Sequence, residues 1–208
     1  KTKIQNKYKT YCVEDFILNG EADLTTRRTS FPLSINLELT MKCHTDCIYC
    51  YANRKMHNKE MPLEMVLSII RQAKKIGVVN FDISGGEVLL HPHYKEVISE
   101  LLINGYTPFI STKVPVKKDK LQTLKNIGVK EIQISLDSIN PETLSKILNV
   151  SSNYADAIKD TVRFTEEVGL ELRVHSIINS HNCSDEEIET LVNFLSNFSN
   201  LKSLQFTP

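Results

Sequence analysis

Strand-like and helix-like patterns alternate along this chain, and that alternation constrains the fold more than any other feature of it. Short β-rich runs stand at about 34–40, 78–84, 107–112, 131–136, 171–178 and 203–207. Between them, segments at about 62–76, 93–104, 118–127, 153–168 and 184–197 carry apolar residues three and four apart, the period of a helix with one buried face. Strands that alternate with helices in this way predict an α/β fold with a parallel sheet. Punctuation supports the boundaries. Pro62 suits a helix start, Gly77, Gly105, Gly128 and Gly169 fall where four helices should end, and Ser184 before Asp185 and Glu186 suits an N-cap.

The strands carry a second pattern. Ile35, Leu37 and Leu39 alternate with Asn36, Glu38 and Thr40; Phe81 and Ile83 alternate with Asp82 and Ser84; Ile132, Ile134 and Leu136 alternate with Gln133, Ser135 and Asp137. Arg173 and His175 interrupt the fifth strand in the same way. A parallel sheet is normally covered on both faces and reads continuously apolar. A polar face that is covered needs hydrogen-bond partners, because an unpaired buried polar group costs about 1–3 kcal/mol. A barrel with helices outside and a polar ligand inside meets both conditions; a sheet with one face in solvent is the plainer alternative. Six strands fall short of the eight of a complete barrel. The expected fold is therefore α/β, a partial (β/α)6 TIM-like barrel of parallel strands over 34–208, preceded by a lead-in segment over 1–33. The stop at Pro208, directly after the sixth strand, points to a missing C-terminal extension.

Composition narrows the partners. The 25 Lys and Arg balance 25 Asp and Glu, so no excess of positive charge marks a nucleic-acid or anionic-membrane surface. No apolar run approaches the roughly 20 residues of a membrane span, and no apolar segment follows the N-terminal lysines as in a secretory signal. The expectation is a cytoplasmic protein that engages neither nucleic acid nor membrane.

Three of the five cysteines, Cys43, Cys47 and Cys50, fall within one loop after the first strand, in a C-x3-C-x2-C run. In a reducing compartment such a cluster reads as a metal or iron-sulfur site. Three thiolates can hold three corners of a four-iron cluster and leave one iron open to a ligand. A zinc site completed by His44 or Cys183 is the competing assignment. Cys12 and Cys183 stand alone, and Cys183 reads as a free loop thiol. His91 and His93 flank Pro92 and read as loop residues, and His175 reads as a satisfied core histidine.

The cysteine run, with Tyr49 before its last member, resembles the signature of the radical S-adenosylmethionine (SAM) enzymes, and the resemblance extends over about 34–208. Ser84-Gly85-Gly86-Glu87 at the end of the second strand matches a second motif of that family, the segment that meets the amino group of SAM. The resemblance implies a [4Fe-4S] cluster on Cys43, Cys47 and Cys50, with Tyr49, Gly85, Gly86 and Glu87 at SAM. It also places Thr112 near the SAM carboxylate, although the usual Thr-Asn-Gly is here Thr112-Lys113-Val114. Ser135 and Asp137 fall near the ribose or the substrate, and Arg173 is a further candidate for the carboxylate.

The chemistry so implied is one-electron cleavage of SAM to a 5′-deoxyadenosyl radical that abstracts hydrogen from a substrate. The electron would come from a donor such as a flavodoxin or ferredoxin. The Cys47–Ala52 run and the stretch from Arg173 to Asn179 look similar to the branch of peptide and protein maturases that often carry a cysteine-rich SPASM domain. Ser135-Leu136-Asp137-Ser138 looks equally similar to the branch that cyclises a molybdenum-cofactor precursor. A peptide or protein is the favoured substrate. A small molecule in cofactor biosynthesis and a non-catalytic iron-sulfur or regulatory role are the alternatives. Which residue reacts with substrate is not legible.

Overall fold

The computed structural model describes residues 32–51 and 60–208. The lead-in expected over 1–33 lies outside the described residues except for Pro32 and Leu33, and Cys12 lies outside them with it. The strands are β1 (Ser34–Thr40), β2 (Asn80–Gly85), β3 (Ser111–Thr112), β4 (Glu131–Ser135), β5 (Glu171–Ile177) and β6 (Leu201–Thr207). The helices are α1 (Leu63–Ile76), α2 (Tyr94–Ile103), α3 (Lys118–Asn126), α4 (Pro141–Leu148), α5 (Tyr154–Val168) and α6 (Asp185–Leu195). Every strand pair is parallel, as expected of the α/β alternation. No described helix is long and apolar enough to cross a membrane.

Each helix covers the sheet with the face that its apolar spacing sets. In α1 the buried residues are Val66, Ile70 and Ala73, four and three apart. In α5 they include Ala155, Ile158 and Val162, joined by Thr161 and Thr165, whose hydroxyls bond to backbone. Thr161 also receives the amide of Val116 at 2.9 Å, which ties the segment after β3 to α5. One core runs from Leu39 and Val66 through Val97 and Leu121 to Ile132; a second gathers Ile134, Leu144, Ile158, Val174 and Leu191. At about 1.5–3 kcal/mol per fully buried aliphatic side chain, these two clusters supply the main drive to fold. Helix ends follow the expected punctuation: Gly77 and Gly169 close α1 and α5 in the left-handed conformation, and the Ser184 hydroxyl accepts from the Glu187 amide at 3.3 Å.

Three features differ from the expectation. The third strand is two residues long where 107–112 was anticipated. Pro108 sits in the middle of that span and has no N–H for a ladder. Helix α4 was not anticipated at all, although Asn140 caps it by accepting from the amides of Glu142 and Thr143, and Leu144, Ile147 and Leu148 form its buried stripe. The six strands also form two hydrogen-bonded sets, β1-β2 and β3-β4-β5-β6, with a seam between β2 and β3. The barrel is therefore open, and within it the polar residues of the strands face one side.

Candidate active site

The cysteine loop leaves the end of β1 and is held by backbone. The amides of Asp46 and Ile48 donate to the carbonyls of Leu148 and Ile147, each at 2.9 Å. These carbonyls belong to the last turn of α4, where helical partners run out, so the helix end and the loop satisfy each other. Within the loop, the buried Thr45 hydroxyl lies 3.2 Å from Cys43 Sγ and 3.3 Å from Cys47 Sγ. Cys43 and Cys47 are half-buried and Cys50 is exposed. Burial pushes the Cys47 thiol up, while the Thr45 hydroxyl and the Lys113 ammonium favour its thiolate. Iron binding requires that thiolate.

All three cysteines line one cavity of about 700 Å³. Its wall is the polar strand face read from the sequence: Asn36 from β1, Asp82 and Ser84 from β2, Ser111 from β3, Gln133 and Ser135 from β4, and His175 from β5. Gln133 Nε2 donates to Ser111 Oγ at 3.1 Å, and His175 Nε2 lies 2.8 Å from Thr207 Oγ1. His175 thus has a partner, as expected, but it also faces the cavity. The Thr45 hydroxyl brings Cys43 and Cys47 to one side of this cavity, which Cys50 also lines. Three thiolates on one loop can hold three irons of a four-iron cluster, each thiolate with an iron of its own, and leave the fourth iron open to a ligand. His44 lines a different cavity, beside Leu89 and Lys120, and Cys183 is exposed and outside the lining of the cysteine cavity, so neither joins the three cysteines there.

Gly85 and Gly86 border the same cavity, and the reason for both glycines is the chain's own backbone. Gly85 has φ +139°, and a Cβ there would lie 2.0 Å from the Thr40 carbonyl oxygen. A Cβ on Gly86 would lie 2.5 Å from the carbonyl oxygens of Met41 and Lys42. The amides of Gly86 and Glu87 donate to Thr40 and Lys42 at 2.7 and 2.8 Å, which presses this segment against the start of the cysteine loop.

The Glu87 side chain crosses the seam. Its carboxylate, 2% exposed, accepts from Leu89 N at 3.1 Å, Thr112 Oγ1 at 2.9 Å and Lys113 N at 3.2 Å. Burial raises its pKa against the pull of those donors and of Lys120. Thr112, anticipated at the SAM carboxylate, spends its hydroxyl on Glu87 and is itself buried.

Asp137 is buried just beyond β4. One oxygen accepts from Ile177 N at 2.9 Å; the other accepts from Lys113 Nζ at 2.8 Å and from the Tyr49 hydroxyl. Lys113 also donates to that hydroxyl, from beyond the oxygen edge of the Tyr49 ring. Burial and the Asp137 carboxylate hold the Tyr49 phenol far above its usual range. Arg173 stands apart. It pairs with Glu131 at 3.0 Å toward the start of the strands and does not line the cavity. His91, anticipated as a loop residue, is 1% exposed and bonded to the Met61 carbonyl and the His93 amide.

Sequence reasoning passed over Lys113, Thr45, Asn36, Asp82 and Gln133. Asn36, Asp82 and Gln133 were legible as members of the polar strand face. Lys113 follows the end of β3, where barrel side chains reach the mouth.

An open parallel α/β barrel, with three thiols and a glycine-lined turn at one cavity, defines a class of barrels that hold a cofactor at the ends of their strands. The sequence matches the family described as the Radical SAM superfamily over residues 37–195, and the chain belongs to that superfamily, whose enzymes use a [4Fe-4S] cluster and SAM. Among curated relatives, GTP 3′,8-cyclase of Aquifex aeolicus is 29% identical over 178 residues, 82% of this chain and 55% of that protein. A probable GTP 3′,8-cyclase of Methanococcus maripaludis is 31% identical over 140 residues, 66% of this chain and 46% of that protein. Among solved structures, SuiB of Streptococcus suis bound to its precursor peptide SuiA has a TM-score of 0.69 at 24% identity, covering 86% of this chain and 40% of SuiB. The chain spans about half the length of the curated relatives it matches.

Proposed function

We propose that this chain is the core of an enzyme that cleaves SAM reductively at a [4Fe-4S] cluster on Cys43, Cys47 and Cys50 and directs the radical at a peptide or protein. The observation that carries the reading is the single cavity shared by the three thiols, the Gly85-Gly86-Glu87 turn and the polar strand face. When bound, the cluster and SAM supply the electron transfer and the 5′-deoxyadenosyl radical. The chain's own residues orient and enclose. Thr45 offers a hydroxyl to two of the sulfurs. The hydroxyls of Ser111 and Ser135 and the turn at Gly85 and Gly86 border the space in which SAM would lie. Glu87 acts through the position it gives this turn, since its carboxylate is already bonded across the seam.

The charge of the lining supports a peptide over a nucleoside triphosphate. Lys113 is the one Lys or Arg among the described lining residues, and it is paired with Asp137, while Asp82 adds a carboxylate. A triphosphate is normally met by several Arg or Lys donors. The second reading, a small molecule in cofactor biosynthesis, is favoured by the cyclase relatives.

The test is anaerobic cluster reconstitution of the whole protein, then reduction in the presence of SAM, with 5′-deoxyadenosine measured. Nucleoside from wild type and none from Cys43→Ala is the expected result. A cluster that forms without any nucleoside overturns the catalytic reading in favour of a binding role. Stimulation by GTP, and not by peptides encoded beside the gene, moves the substrate to the second reading. A flavodoxin or ferredoxin that replaces the chemical reductant would identify the electron donor.

A further inference from the structure

Lys113 meets four parts of the fold at once. Its amide donates to Glu87 across the seam, its carbonyl accepts from the Tyr154 hydroxyl of α5 at 2.9 Å, and its ammonium reaches both Asp137 and Tyr49. The last contact concerns the cysteine loop. Asp46 and Ile48 tie the first part of that loop to α4, whereas the amide of Cys50 bonds only back to Cys47 within the loop, at 3.0 Å. Among the described residues, the polar ties between the last part of the loop and the barrel run through the Tyr49 side chain. The Lys113 and Asp137 side chains are 16% and 0% exposed, so this pair is not screened by solvent as a surface ion pair is.

We infer that Lys113 is a positioning residue for the cysteine loop: its ammonium clamps Tyr49 against Asp137 and so sets where Cys47 and Cys50 stand at the cavity. This rests on the reading of the three cysteines as cluster ligands. A lysine suits the task because its ammonium has three donors, here directed to a carboxylate and a phenol. Residues that orient metal ligands without touching the metal typically change metal affinity by about 10–100-fold when removed.

The experiment measures the rate at which anaerobically reconstituted whole protein loses iron to an iron(II) chelator, together with the electron paramagnetic resonance spectrum of the reduced cluster. Lys113→Met alone strands the buried Asp137 charge, so the main variant is Lys113→Met/Asp137→Asn, which removes both charges. It is expected to lose iron about tenfold faster than wild type. Lys113→Arg, which retains the cation and its donors, is expected to restore the wild-type rate and spectrum, a rescue that a volume effect would not give. Tyr49→Phe deletes only the hydroxyl, leaves the ion pair in place, and is expected to accelerate iron loss to a smaller degree. Wild-type rates in the double variant and in Tyr49→Phe overturn the inference while the cluster reading stands. If wild-type protein assembles no cluster, or Cys43→Ala retains it unchanged, the cluster reading falls and this inference with it.

Discussion

Lys113 Nζ lies 2.8 Å from Asp137 Oδ2, and the two residues join the ends of neighbouring strands β3 and β4 beneath the cysteine loop. Removing one partner of a buried ion pair leaves the other uncompensated, at a cost of about 3–5 kcal/mol. Lys113→Ala leaves Asp137 in that state, with the Ile177 amide still bonded to its other oxygen. Asp137→Ala leaves an ammonium with some access to solvent, so it should cost less through the stranded charge. In denaturant unfolding of the apo-protein, the double variant should be more stable than the sum of the single losses predicts, by about 0.5–3 kcal/mol. Additive losses would show that the pair is not coupled.

Gly85→Ala should destabilise the fold by at least about 1–3 kcal/mol, from strained backbone together with a steric clash. The methyl would meet the Thr40 carbonyl oxygen at 2.0 Å, a backbone atom that can move only by displacing the end of β1. At about 2–4 °C per kcal/mol for a domain of this size, thermal melting reads the loss directly. An unchanged melting temperature would mean that this segment relaxes freely.

Glu87 makes stability depend on pH. Its folded pKa is raised by burial, so over the window from the ordinary carboxylate range upward the folded chain holds more protons than the unfolded one. Stability from this group is therefore complete below the unfolded pKa and is lost as pH rises through the folded value. The Leu89 and Lys113 amides, the Thr112 hydroxyl and the Lys120 ammonium favour the carboxylate and narrow the window. Glu87→Gln should remove this contribution. The stability difference between wild type and variant, followed by denaturant unfolding across the window, should shift against wild type as pH rises; a difference independent of pH contradicts the assignment.

Arg173→Ala should leave SAM affinity unchanged and cost about 0–1 kcal/mol of stability. Arg173 is partly exposed, pairs with Glu131 and stands outside the cavity lining. Equilibrium binding of SAM to reconstituted protein tests this. A severalfold loss would bring Arg173 back to the carboxylate role that its place in β5 first implied.

The parts of the fold that were legible in the sequence are those written as local patterns. Leu37 and Leu39 alternate with Asn36 and Glu38 and so gave both the strand and its polar face; Gly77 and Gly169 marked helix ends because the chain there turns left-handed. Helix α4 is only eight residues long, too short for its apolar spacing to stand out, although Asn140 followed by Pro141 is a capping signal. Lys113 was not legible as a site residue. Its importance comes from Tyr49 and Asp137, 64 and 24 residues away, which only the tertiary fold brings together. Gly85 and Gly86 were legible as part of a family motif, but that the chain's own Thr40–Lys42 backbone crowds them depends on the path of the loop.

The seam between β2 and β3 bears on how such a protein can change over evolutionary time. A ladder of backbone hydrogen bonds is nearly indifferent to side-chain identity, so a wall built from one survives substitution. Here part of the wall depends on Glu87 reaching Thr112 and the Lys113 amide, and that link can be altered by a single codon. A substitution at Glu87 thus acts on the wall without removing any ladder bond of the strands on either side.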